Sequence, residues 1–172
     1  VFYSSSTLCP VLPRIYKEEE SGKLRTMLSH ACDLGISAVA LANLGHLTMT
    51  EGLPLKRIAD WSMNVSNSET LRFLQEHAFE SATASFELRH EQIRDLDKVL
   101  PLEAIVYGRL PLMITENCLN CDGHGTCHCG EGYATLTDRT GAQFPVLPVF
   151  GCRNEIENCK TLFLADKNEW KQ

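Results

Sequence analysis

The run Cys118-Leu-Asn-Cys121-Asp-Gly-His124-Gly-Thr-Cys127-His128-Cys129-Gly is dense in groups that bind soft metals, and Cys152 follows after two strand-like segments. Thiolates select zinc, copper(I) or iron–sulfur clusters. Glycines at 123, 125, 130 and 132 allow the backbone to fold tightly around an ion. Sequential ligands in a loop, closed by one distant ligand, would also staple the intervening hairpin to its scaffold. Structural zinc takes four cysteines, or three with one histidine. A four-iron cluster takes four thiolates. Either set can be drawn from this run with ligands to spare. His124 and His128 read as solvated loop histidines, and Cys9, Cys32 and Cys159 as packing residues. The competing reading is free thiols or one or two disulfides, with Cys127 and Cys129 too close in sequence to pair comfortably.

The distribution of cysteine favours metal over disulfides. Six of the eight cysteines fall between 118 and 159, while the first 117 residues look like a reduced cytosolic enzyme. A secreted disulfide framework would be cysteine-dense throughout. The 172 residues suffice for one full domain, and the composition is that of a soluble globular protein, 44% hydrophobic and 22% charged. No apolar run approaches the ~20 residues needed to span a bilayer. A net charge of −6 argues against a large nucleic-acid footprint, which needs a basic stripe. The chain opens on Val1 with no leader-like segment, and is expected to be cytoplasmic and part of a longer protein. Its partners would then include the missing N-terminal half or a second copy.

The elements that must position these cysteines alternate in type. Residues 8–15 are apolar and extended. Residues 23–34 carry Leu24, Met27, Leu28, Ala31 and Leu34 at helical spacing, with Gly35 as the C-terminal cap. Strands are expected at 36–41, 57–61, 80–85 and 102–107. Helices are expected after Asn67 and Ser68 and over 91–100. A strand-plus-helix period of this kind implies a parallel sheet covered by helices. An open doubly wound sheet and a (β/α) barrel both fit, and the four or five strands before Gly108 amount to half of an eight-stranded barrel. Beyond 114 the periodicity stops. Residues 133–138 and 143–149, joined by Arg139-Thr140-Gly141, read as a hairpin. A last strand is expected at 161–164. The division is therefore 1–114, a partial barrel, and 115–172, a cysteine-rich metal-binding and hairpin region.

Several of these segments resemble one family. Val106-Tyr-Gly-Arg-Leu-Pro-Leu-Met-Ile-Thr-Glu-Asn-Cys118 resembles a signature of the collagenase-like peptidases, the thirty-second of the unassigned peptidase families. Leu12-Pro-Arg-Ile15, Ala42-Asn-Leu-Gly45, Asp60-Trp-Ser-Met-Asn-Val-Ser-Asn-Ser68 and Ser85-Phe-Glu-Leu88 precede it in the expected order. Leu136-Thr-Asp-Arg-Thr-Gly141, Phe144-Pro-Val146 and Cys152-Arg153 continue it. The resemblance implies the C-terminal half of a TIM-type (β/α) barrel with an appended cysteine-rich β-hairpin region. It implies a protease, with oxygen-independent, iron–sulfur-dependent hydroxylation of RNA or a quinone precursor as the alternative. It also implies four metal ligands, mapped onto Cys118, Cys127, Cys129 and Cys152. The cofactor would be a [4Fe-4S] cluster or zinc. Cys121 and the Cys127-His128-Cys129 spacing depart from the family pattern.

Reactive groups of such barrels emerge at the C-terminal ends of strands. The expected ends place Arg14, Asn43, Asn64, Glu87, Tyr107 and Arg109 there as substrate-binding candidates. Arg14 and Arg109 could clamp an anion, and Glu87 could act as a general base or a binding carboxylate. His46 beside a helix start reads as structural. Neither Gly-x-Ser-x-Gly nor His-Glu-x-x-His occurs, so proteolysis has no support of its own in the sequence, and the catalytic residues stay unassigned. A metal-stapled module without activity is the remaining reading.

Overall fold

The computed structural model describes residues 8–122, 124–129, 134–167 and 170. Gly123, Gly130, Gly132 and Tyr133, invoked above, lie outside them. The chain divides into two compact units, Val1–Ile105 and Val106–Gln172.

In the first unit β1 (Ala38–Leu41), β2 (Lys56–Ala59), β3 (Phe79–Thr83) and β4 (Leu102–Glu103) pair in parallel in sequence order. An extended segment at Val11 bridges Ala40 in parallel, with the Leu12 amide donating to the Ala40 carbonyl at 2.9 Å. Every residue of β1 is buried, as expected for a parallel strand covered on both faces. The observed architecture is mixed α/β. The parallel sheet is an open one of four strands, and barrel closure is not seen among the described residues.

Helix α1 spans Glu18–Asp33, beginning ahead of the apolar periodicity. Glu18, Glu19 and Glu20 suit the positive end of the helix, and the Lys17 amide donates to Glu20 Oε2 at 2.7 Å. Those polar residues carry no periodic signal, so the sequence shows the helix late. Leu24 and Leu28 bury its inner face, whereas Met27 and Leu34 are exposed. Gly35 (φ 79°) ends the helix: its amide donates to the Cys32 carbonyl at 2.9 Å and the Ile36 amide to Ala31 at 3.0 Å. Between β1 and β2 lies the short α2 (His46–Met49). Helix α3 (Ser68–Glu76) starts where Asn67 Oδ1 accepts from the Thr70 amide, and buries Leu71 and Leu74.

Two expectations need correction in this unit. Helix α4 covers only His90–Arg94, not 91–100. The Lys98 ammonium takes the carbonyls of Ile93, Arg94 and Leu96, which closes the helix early, and Pro101 disfavours a helical Leu100. The run 102–107 is not one strand. Leu102 and Glu103 pair with Ala82 and Thr83, but the Val106 carbonyl accepts from the Leu164 amide at 2.7 Å, which commits it to the second unit.

The second unit is an antiparallel sheet in the order β5 (Tyr107–Thr115), β8 (Arg153–Phe163), β7 (Gln143–Val149), β6 (Ala134–Thr137). The β6–β7 hairpin is as expected. Asp138 Oδ1 accepts from the amides of Thr140 and Ala142 at 2.7 and 2.9 Å, and Gly141 takes φ 84°. Strand β8 begins eight residues before the expected 161, because its first half (Arg153-Asn-Glu-Ile-Glu-Asn158) is polar and shows no apolar run. Helices long and apolar enough to cross a membrane are absent among the described residues.

His46 is fully buried in the first unit, its ring stacked on Tyr16 at 5.1 Å. Neither ring nitrogen has a hydrogen-bond partner among the described residues. Burial therefore holds it neutral, with its pKa lowered to about 4. The unfolded chain binds a proton here that the folded chain refuses. Stability is thus complete above about pH 6.5 and falls toward pH 4, with a slope of at most ~1.4 kcal/mol per pH unit. Urea unfolding across that range should show the loss, and His46→Phe should flatten it. An unchanged slope in the variant would remove His46 as the cause.

Candidate metal centre

The register of the second sheet brings distant cysteines together. Thr115 of β5 faces Asn154 of β8, so Cys118, just past one strand, lies beside Cys152, just before the other. The chain reaches Cys152 through two successive left-handed residues, Gly151 (φ 75°) and Cys152 itself (φ 59°), and the residue stays exposed. For a cysteine that conformation costs roughly 1 kcal/mol, a cost the surrounding strands must impose.

A miniature hairpin supplies the other two sulfurs. The Asp122 amide donates to the Thr126 carbonyl at 3.0 Å and the His128 amide to Asn120 at 2.9 Å. Asp122 Oδ1 accepts from the amides of His124 and Thr126, both at 2.9 Å, and Gly125 (φ 84°) makes the bend. The Thr126 and His124 amides hold the Asp122 carboxyl below the usual carboxylate range. On the returning arm Cys127 and Cys129 are two apart, the spacing that puts side chains on one face. His128 between them turns to Asp122, with Nε2 3.5 Å from Oδ2.

Four sulfurs converge. Sγ of Cys118 lies 3.5 Å from that of Cys129 and 3.9 Å from that of Cys127, which is 3.9 Å from Cys152. All four sulfurs lie within 4.8 Å of one another, and neither histidine is in the group. Cys152 is pushed up to about 12 by hydrogen bonds with Cys118 and Cys127 and by their charge. A bound cation reverses that balance and favours the thiolates. The donor chemistry and spacing therefore fit a soft metal.

Cys121 lies outside the group. Its thiol is exposed and is pushed up to about 11, chiefly by a hydrogen bond with Cys118.

Polar side chains hold the loop, a role that the sequence reading gave to none of them. Asn154 is fully buried and its Oδ1 accepts from the Leu119 amide at 2.5 Å. Asn120 Nδ2 points at Cys129 Sγ from 3.6 Å. Arg153, also buried, donates to Glu116 Oε1 at 2.6 Å and to the Phe150 carbonyl at 3.2 Å. The one available signal was Arg153-Asn154 directly after Cys152, polar residues at the head of a strand.

The substrate candidates separate. Arg14, Asn43, Asn64 and Glu87 follow strand ends along the C-terminal edge of the parallel sheet. The Arg14 guanidinium lies 4.5 Å above the Trp61 ring, and Trp61 meets Phe86 at 5.2 Å. Trp61 and Phe86 were missed, although each stands next to a polar residue at a strand end. Asn43 closes its own loop, donating to the Arg14 carbonyl at 3.1 Å and accepting from the Gly45 amide at 2.8 Å. Asn64 takes a left-handed φ of 53°, and Glu87 is exposed. Tyr107 and Arg109 instead belong to β5 of the second unit. Tyr107 packs edge-on to Phe163 at 5.9 Å, and Arg109 donates to the Asn158 carbonyl at 2.7 Å. Of the cysteines read as packing residues, Cys9 is exposed and Cys32 and Cys159 are half-buried.

The sequence profile of peptidase family U32 matches residues 5–128. The match takes in the parallel sheet, Cys118 and Cys127, and stops one residue short of Cys129. No curated protein and no solved structure matches the chain.

Removing the Asn154 clamp should loosen the loop and weaken metal retention. Against a chelator, Asn154→Ala should release metal on the order of 10-fold more readily than the parent, as losses of supporting hydrogen bonds at metal sites do. Equal retention in the two proteins would leave Asn154 with a packing role only.

Proposed function

We infer the function from one premise: this chain belongs to peptidase family U32. It acts, on our reading, as part of an enzyme that binds substrate along the C-terminal edge of its parallel sheet. Cys118, Cys127, Cys129 and Cys152 hold a metal that does not itself activate water. The observation that carries this is the donor set, four thiols with no histidine or carboxylate among them. Four thiolates complete the shell of zinc, and four likewise complete a four-iron cluster. Neither leaves a position for a hydrolytic water. The centre then serves to join the ends of β5 and β8, or to carry an electron.

Peptide hydrolysis, the activity the family name implies, would rest on the sheet edge. Glu87 offers an exposed carboxylate there, as general base or substrate ligand. Arg14 over Trp61 offers a cation beside a flat apolar surface. His46 is an unsuitable base, since it is fully buried and held neutral. The order of the four parallel strands supports the half-barrel implied by the family, whose other strands would come from outside this chain.

A second reading keeps the family and changes the reaction. The all-thiolate donor set is that of an iron–sulfur centre, and such a centre would relay away the electrons that the substrate loses in oxygen-independent hydroxylation of an RNA base or a quinone precursor, with water as the source of the oxygen atom. The Trp61–Phe86 pair would then offer a face on which a substrate ring can stack.

Metal and sulfide analysis of protein purified without oxygen separates these readings. Metal should be present, and serine at Cys118, Cys127, Cys129 or Cys152 should release it while Cys121→Ser retains it. Iron with acid-labile sulfide and a broad visible absorbance would select the redox reading. Zinc would select the structural centre. A chain with no metal and every thiol free would sink the proposal.

A further inference from the structure

Cys121 is the fifth thiol at a site that needs four, and the backbone gives it a partner. Cys121 and Cys127 stand opposite each other in an antiparallel bridge. The flanking hydrogen bonds, Asp122 amide to Thr126 carbonyl and His128 amide to Asn120 carbonyl, lie one residue outside the pair on either side. This is the narrow, non-hydrogen-bonded kind of antiparallel pair, with Cα atoms about 4.5 Å apart and side chains on the same face. Disulfides span Cα separations of about 4.4–6.8 Å, so the pair falls inside the permitted range. Both thiols are exposed, and a small oxidant can reach them.

We propose that Cys121 and Cys127 are a redox pair, which closes to a disulfide when the metal centre is empty and takes Cys127 out of the ligand set. The oxidant is a small-molecule disulfide such as glutathione disulfide. One protein thiolate attacks it, displacing a glutathione thiolate and forming a mixed disulfide. The second protein thiolate attacks the protein sulfur of that bond and releases the second glutathione. Two protein thiols are oxidised, one glutathione disulfide is reduced to two thiols, and the protons pass to the departing thiolates. Asp122 and Gly125 fix the bend between the two arms, so the pair is held in register before any bond forms. A bound metal and the disulfide exclude one another, because Cys127 cannot serve both. This consequence rests on the four-thiolate reading, whereas the pairing itself rests only on the bridge.

Treatment of the metal-free chain with glutathione disulfide, followed by alkylation and peptide fragmentation, tests it. Cys121 and Cys127 should be joined, with Cys118, Cys129 and Cys152 alkylated. Metal uptake should then be lost until a dithiol reductant is added, and Cys121→Ser should keep its uptake through the same treatment. A bond from Cys121 to Cys118, whose thiol it meets, a bond mapped among Cys118, Cys129 and Cys152, or glutathione left on Cys121, would overturn the proposal. So would equally fast bridging in metal-loaded chain. Bridging of Cys121 to Cys127 in a chain that takes up no metal would support the pair and refute the four-thiolate reading instead.

Discussion

Thr115 of β5 lies opposite Asn154 of β8, and the meeting of the cysteines in the second unit follows from that register. It brings the ends of two strands that are far apart in sequence to one place. Cys118 leaves the first strand there, and Cys152 enters the second. Asn154 then holds the loop at Leu119, and Arg153 reaches Glu116, so the residues just after the last thiol grip the residues around the first. A shift of one residue would invert the faces of both strands and withdraw Asn154 from the loop. The cysteine site is in this sense a product of sheet pairing, with the short Asn120–His128 hairpin fitted into the space that pairing creates.

The first unit concentrates its polar chemistry at one edge for a different reason. In a parallel sheet all strands end on the same side, so the residues just beyond them gather without any long-range design. Arg14, Asn43, Asn64 and Glu87 come there by topology alone. What they do once there is set by local bonding. Asn43 is spent on its own loop, while Arg14 lies across Trp61 and Glu87 stays exposed.

How far the sequence reveals this depends on the kind of signal. The amphipathic stretch around Leu24 and Leu28, the Asn67 cap and the turn at Asp138 were legible, because each is a local pattern. Strand β8 was not, since Arg153 and Asn154 are buried polar residues whose burial follows from the loop they hold. The run 102–107 was misread for the same reason: adjacent apolar residues pair with different sheets, and nothing local marks the change at Val106. At the thiol cluster, residue type made the cysteines conspicuous, and the family resemblance selected four of them. Asn120 and Asn154 carried no comparable mark, because their role exists only in three dimensions.

The donor set also limits what the family name can mean for this chain. A peptidase that used its metal would need a vacant position and a water, and four thiolates leave neither. A peptidase that used a nucleophile would need a base beside it, and His46 is buried, neutral and stacked on Tyr16. Hydrolysis could then fall to carboxylates at the sheet edge, where Glu87 and Glu103 are both exposed, acting on water directly. Binding by itself asks less of that edge than hydrolysis does, and Arg14 over Trp61, with Phe86 beside it, sets a cation and flat rings together there.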